Sequence, residues 1–138
     1  MNITPDVRWK QRFANFEKAF IFLDNALQIQ QPSALEEAGI VQAFEFTFEL
    51  AWKMLKDYLT ANGVDAPFPR DVLKQAFRYG LITNGALWLE MLDKRNQMAH
   101  TYNETNAQTA MTLIRTKFAP PIAELYAQFT IISKRDAA

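Results

Sequence analysis

Trp9, Phe13, Phe16, Phe20, Leu23 and Leu27 recur at alternating steps of four and three residues. That spacing is one stripe of an α-helix, and a strand cannot gather those side chains on one face. The first helix is therefore expected from about Arg8 to Gln31, with Pro32 stopping it. Ser33 opens a second helix, because Ser33 and Glu36 have the S-x-x-E spacing of a capping box. This helix runs to about Ala61, where Asn62-Gly63 supplies a left-handed stop. Ala43, Phe44, Phe46, Phe48, Leu50, Ala51, Trp52, Met54 and Leu55 surround most of its circumference. A helix apolar nearly all round belongs at the centre of a bundle.

Residues 64–69 read as a loop, with two prolines bracketing Phe68. A short helix follows from about Arg70 to Tyr79, with Val72, Leu73, Ala76 and Phe77 facing inward and Gly80 ending it. Asn84 caps the next helix, which carries Trp88, Met91, Leu92 and Ala99 and ends near His100 or Tyr102. The last helix starts near Glu104 or Thr105 and carries Ala110, Leu113, Ile114, Phe118, Ile122, Leu125 and Phe129. Pro120 and Pro121 fall inside that pattern and should kink it. The final residues, 133–138, read as a frayed end. The expectation is an all-α fold, an antiparallel up-and-down helical bundle of four long helices plus one short helix. It forms a single domain over residues 1–138, with its core at about 8–130.

Composition narrows the function. The 138 residues include no cysteine, which removes disulfide frameworks, thiol catalysis and zinc-thiolate sites. Fifteen basic and fifteen acidic residues cancel, so broad phosphate neutralisation on duplex DNA is not expected, although a local RNA site is compatible. No membrane-length apolar run and no signal-peptide pattern occur, and a cytoplasmic location is the expectation. A Gly-rich phosphate loop, a G-x-S-x-G elbow and the paired Glu-x-x-His of di-iron bundles are all missing, so neither a metal nor a cofactor is expected.

One segment breaks the apolar patterning. Along the inward stripe Trp88, Leu92, Arg95, Ala99 and Tyr102, Arg95 sits where an apolar residue belongs. A guanidinium there needs an anionic partner, a cleft or a second subunit, unless it snorkels to the rim on its own stem. Asn96 and His100, the single histidine, are four apart and share a helix face. Arg95 and His100 are five apart, about 140° around an ideal helix. A site using both needs a distorted helix end, a long Arg reach or residues from a second copy. In the second helix, Glu49 pairs naturally with Lys53 at i,i+4. The sharper alternative makes Glu49 or Glu45 the counter-ion of Arg95. Arg, Asn and His together suit metal-independent RNA cleavage. An imidazole moves a proton at the ribose 2′-hydroxyl or the leaving oxygen, a guanidinium stabilises the pentacoordinate phosphate, and an amide orients either.

The segment Arg95-Asn96-Gln97-Met98-Ala99-His100-Thr101-Tyr102 resembles the R-x4-6-H motif of the HEPN superfamily. Its longer form, R-x4-H-x-Y, looks like the HepT toxins encoded beside minimal nucleotidyltransferase (MNT) antitoxins. FEFTFELAWKMLKDYL, PRDVLKQAFRYGLI and WLEMLDKRNQMAHTYNE extend that likeness to the nucleotidyltransferase substrate-binding branch, over roughly residues 8–130. The resemblance implies a homodimer whose two motifs meet near a two-fold axis, with Arg95 and His100 as the RNase pair and Asn96 supporting them. It also implies that Tyr102 accepts AMP from the MNT partner, which silences the toxin. The alternative it carries is a non-catalytic substrate- or nucleotide-binding subunit of such a nucleotidyltransferase.

Overall fold

The computed structural model describes the backbone of residues 3–101 and 104–137 and the side chains of residues 3–98 and 107–135. Its elements are α1 (Pro5–Ala26), α2 (Ala34–Ala61), α3 (Pro69–Arg78), α4 (Gly85–Thr101), α5 (Glu104–Leu113), a π-helical stretch (Ile114–Phe118) and α6 (Ala119–Ala137). There is no strand among the described residues. No described helix is long and apolar enough to cross a membrane.

Local signals set most of the helix ends. The Thr4 hydroxyl accepts from Val7 N, with Pro5 at the first helical position, so α1 begins a few residues before the expected Arg8. At α2, Ser33 Oγ accepts from Glu36 N at 3.1 Å while Ser33 N donates to Glu36 Oε1 at 2.9 Å, the expected reciprocal cap. Gly63 (φ 81°) and Gly80 (φ 76°) close α2 and α3 in the left-handed region. Val64 N then bonds Leu59 O, and Leu81 N bonds Ala76 O, both at 2.8 Å, which satisfies carbonyls the helix ends would orphan. Asn84 Oδ1 accepts from Leu87 N at 3.1 Å and opens α4.

Three expectations are corrected. Helix α1 stops at Ala26, not near Gln31. The cause is tertiary: Arg115 Nη2 donates to Leu27 O at 3.1 Å and Ile29 O at 3.3 Å, so the guanidinium captures carbonyls released where the helix ends. Phe77, expected inward, is 52% exposed, because Val72, Leu73 and Ala76 already fill the inward side of α3. Phe46, counted among the apolar residues ringing α2, is 60% exposed. The two prolines in the last helical run are accompanied by the π-helical stretch, where Ala119 N donates to Ile114 O. Pro120 and Pro121 offer no N–H and crowd the carbonyls one turn back, and the wider turn upstream accommodates them.

The core is aromatic. Trp9, Phe16, Phe44, Phe48, Trp88, Phe118 and Phe129 are all fully buried, and each contributes about 1.5–3 kcal/mol by leaving water. Phe44 stacks on Phe118 with centroids 5.6 Å apart, and Phe48 stacks on Trp88 at 6.0 Å. Helix α2 touches α1, α3, α4 and α5, the central position its apolar circumference predicts. Against α1 it runs antiparallel: Arg12 pairs with Asp57, and Thr47 Oγ1 donates to Ala19 O. Helices α3 and α4 also run antiparallel, with Arg70 beside Asp93 and Phe77 beside Gly85.

Candidate functional site

Where α4 crosses α2, the apolar packing gives way to charge. Arg95 Nη2 lies 3.1 Å from Glu49 Oε2, each side chain being 28% exposed. Arg95 Nη1 donates to Asn96 Oδ1 at 3.2 Å. The remaining Arg95 donor, Nε, is buried with no hydrogen-bond partner among the described residues. The inward guanidinium has thus found an anionic partner, as its place on the stripe demands.

Glu49 is held from its own helix as well. Trp52 Nε1 donates to Glu49 Oε2 at 3.0 Å, and Lys53 Nζ lies 3.3 Å from Oε1. The two pairings weighed for Glu49 therefore coexist, since one oxygen faces Lys53 and the other is shared by Trp52 and Arg95. In the sequence Trp52 reads only as an apolar residue. Its i,i+3 spacing to Glu49 was the signal for its role, because indole N–H donors seek an acceptor when partly buried. The shared oxygen orients the carboxylate toward α4 and leaves Arg95 little freedom.

Glu45, one turn back on α2, faces the same junction. Burial raises its carboxyl above the ordinary value of 4.5, and the Arg95 charge pulls it part of the way down. Glu45, Glu49, Arg95 and Asn96 are thus brought together. The backbone of His100 belongs to α4, which continues to Thr101 without breaking at the motif. Tyr102 lies outside the described residues. With α4 helical through this segment, residues 95 and 100 project about 140° apart. Arg95 points across to α2, and position 100 lies on a different face of the α4 backbone. Among the described residues, no group of three His, Cys, Asp or Glu is arranged to hold a metal ion.

A groove of about 800 Å³ lies between α1 and α2. It is lined by Ala19, Phe22, Ala43, Phe46 and Leu50, with Lys18 and Gln42 among its polar residues. Phe22 is 66% exposed and Phe46 60%. Phe46 lies three residues before Glu49, about 60° around α2, so this apolar surface borders the charged junction.

Comparison with known proteins identifies the family of the chain. Residues 11–131 match the family model described as nucleotidyltransferase substrate binding protein like. A protein of Haemophilus influenzae named "Probable ribonuclease HepT" is 35% identical over 92 residues, covering 61% of this chain and 63% of that protein. The chain therefore spans a little under two thirds of that relative's length. A crystal structure from Thermus thermophilus superposes with a TM-score of 0.69 at 34% identity, covering 82% of this chain and 93% of the other. A Haemophilus influenzae structure, described as revealing the fold of a substrate binding domain of a nucleotidyltransferase, gives a TM-score of 0.59 at 29% identity, covering 87% and 95%. The chain belongs to the nucleotidyltransferase substrate binding protein-like family, as a HepT-like member.

Proposed function

From that membership, we propose that the protein is the toxin of a two-gene toxin–antitoxin module. It is read as a metal-independent endoribonuclease restrained by a nucleotidyltransferase, built as a single-domain up-and-down bundle and working as a homodimer in the cytoplasm. The observation that carries this reading is the Arg95 junction: a guanidinium preset by Glu49, beside Asn96, five residues before the chain's single histidine. His100 takes the proton from a ribose 2′-hydroxyl as that oxygen attacks phosphorus, and the 5′-oxygen leaves with a proton. Solvent water supplies that second proton, so one imidazole serves each site. Arg95 stabilises the extra charge on the pentacoordinate phosphate, and Asn96 fixes the Arg95 head.

The division of the motif between two faces of α4 supports the homodimer. One RNA site then takes Arg95 from one chain and His100 from its partner. The exposed Phe22 and Phe46 give the second copy apolar surface beside the junction. Tyr102 is read as the hydroxyl that attacks the α-phosphorus of ATP in the partner enzyme, releasing pyrophosphate. The resulting AMP places negative charge and bulk two residues beyond His100.

The second reading, a non-catalytic subunit presenting a substrate to a nucleotidyltransferase, is favoured by the descriptions of the family and of the Haemophilus structure. Purified protein separates the two. Wild type should cut single-stranded RNA in the presence of a chelator, while Arg95→Ala and His100→Ala do not and remain helical by circular dichroism. Wild type that never cuts RNA, and is harmless when expressed without its partner, sinks the toxin reading. Mass spectrometry after incubation with the partner and ATP should find AMP on Tyr102. No AMP, or AMP elsewhere, rejects that assignment.

A further inference from the structure

Helix α3 carries a cationic strip that the mechanism does not use. Arg70, Lys74 and Arg78 recur every four residues and are all exposed. Phe77 lies only about 20° around the helix from Arg70. Phe77 is 52% exposed, and Tyr79, which follows the strip, is 54% exposed. Gly85, at the start of α4, makes room for the Phe77 ring: a Cβ there would come within 3.1 Å of Phe77 Cγ. Beside the ring opens a groove of about 460 Å³ lined by Leu73, Lys74, Phe77, Asn84, Ala86 and Leu89 among others. Arg78 lies 5.8 Å from the centre of the Tyr79 ring.

Nearby acidic groups do not cancel the strip. Arg70 pairs with Asp93 at 2.7 Å, a surface contact with side chains 48% and 62% exposed, and such pairs are weak. Asp71 shares the helix and is half-buried. Lys74 and Arg78 form no ion pair among the described residues. The pairing of Arg70 with Asp93 also fixes where the strip leads. Position 100 lies two turns beyond position 93 on nearly the same face of α4. The cations therefore run along α3 for about 12 Å and end beside the helix face that carries the histidine position.

We propose that this strip is the binding track for the single-stranded part of the RNA substrate. Its phosphates are held by Lys74, Arg78 and Arg70, and a base stacks on Phe77 in the groove. An exposed aromatic ring interleaved with unpaired cations is the combination single strands require, stacking for the base and charge for the backbone. The α1–α2 groove has the apolar ring without the row of cations, which suits a protein surface better. The track also supplies the local basic site that a chain of zero net charge otherwise lacks. This inference rests on the RNA-cleavage reading and adds to it where the substrate lies.

The test uses the full chain carrying His100→Ala, so that a labelled single-stranded RNA stays intact while its fluorescence anisotropy is followed against salt. Adding Lys74→Glu with Arg78→Glu should weaken binding at least about tenfold and flatten the log–log salt slope by about 1.4, the contribution of two phosphates. Adding Phe77→Ala should weaken it roughly 5- to 100-fold, with Phe77→Trp restoring it. With His100 intact, the same changes should raise KM and spare kcat, whereas Arg95→Ala lowers kcat. RNA bound and cut as well by the α3 variants as by their parents overturns the track and leaves the ribonuclease reading standing. Unchanged RNA binding with lost co-purification of the nucleotidyltransferase marks α3 as a protein interface and also overturns it. If no form, wild type included, binds or cuts RNA, both inferences fall.

Discussion

Phe48 and Glu49 are neighbours on α2, and both meet α4, but the two contacts follow opposite rules. Phe48 is fully buried and stacks on Trp88, itself 1% exposed. Glu49 meets Arg95 seven residues further along α4, where both side chains stay partly exposed and one buried guanidinium N–H has no partner among the described residues. At the Phe48 end the helices adhere through close-packed rings. The buried polar residue of α2, Thr47, has its one hydroxyl proton between two acceptors, Ala43 O at 2.7 Å and Ala19 O at 3.2 Å. Among the described residues Arg95 Nε is the one buried side-chain donor without a partner, which marks the α4 end of the contact as built for something besides stability.

That contrast can be broken most severely at the ring end. Phe48→Ala removes a buried ring and should cost about 3–5 kcal/mol, read as a large fall in the urea or thermal midpoint. Arg95→Ala should cost about 1 kcal/mol or less, because Glu49 keeps Trp52 and Lys53 as donors and the pair is partly solvated. Comparable losses at the two positions would mean that the charged junction is structural after all.

The apolar border of the junction gives the next largest effect. Phe46→Glu places a charge on the exposed α2 surface beside Glu45 and should convert the proposed dimer to a monomer by light scattering at micromolar concentration. The thermal midpoint of the subunit should hardly move, because Phe46 is already 60% exposed. A wild type that is itself monomeric removes the shared site, and a variant that stays dimeric places the partner surface elsewhere.

The smallest effect is the most local. Burial raises the Glu45 carboxyl above 4.5, so the folded state holds that proton more tightly than the unfolded chain does. Its contribution is fully present below the unfolded value and is lost as pH rises through the raised folded value. Glu45→Gln has no such loss, so its stability relative to wild type should increase with pH across that window and then level off. Denaturation curves at several pH values check the sign. A relative stability that falls instead would mean that the Arg95 attraction outweighs burial at Glu45.

Much of this was readable before any coordinates. The capping residues Ser33, Glu36 and Asn84 and the stops at Gly63 and Gly80 act within a turn of where they stand, so spacing reveals them. Arg95 was legible for the converse reason, since a charge on an apolar stripe is visible as a break. What escaped depends on distant partners. The end of α1 is set by Arg115, 88 residues from Leu27 in sequence. The outward turn of Phe77 depends on how much of the inward side its neighbours occupy, and a ten-residue helix has room for more than one apolar stripe. The donor role of Trp52 was hidden because an indole reads as apolar in any hydropathy pattern. His100 and Tyr102 remain sequence-level assignments, carried by motif spacing and family membership.

The central claim is that Arg95 and His100 form one RNA-cleaving pair shared between two copies of the chain. Mixing two inactive proteins tests it directly. Arg95→Ala and His100→Ala are denatured together, refolded, and assayed for RNA cleavage beside each variant refolded alone. Heterodimers contain one site with Arg95 from one chain and His100 from the other, so the account predicts that the mixture cuts RNA while neither variant alone does. A mixture as inactive as its components, although heterodimers have formed, would contradict it.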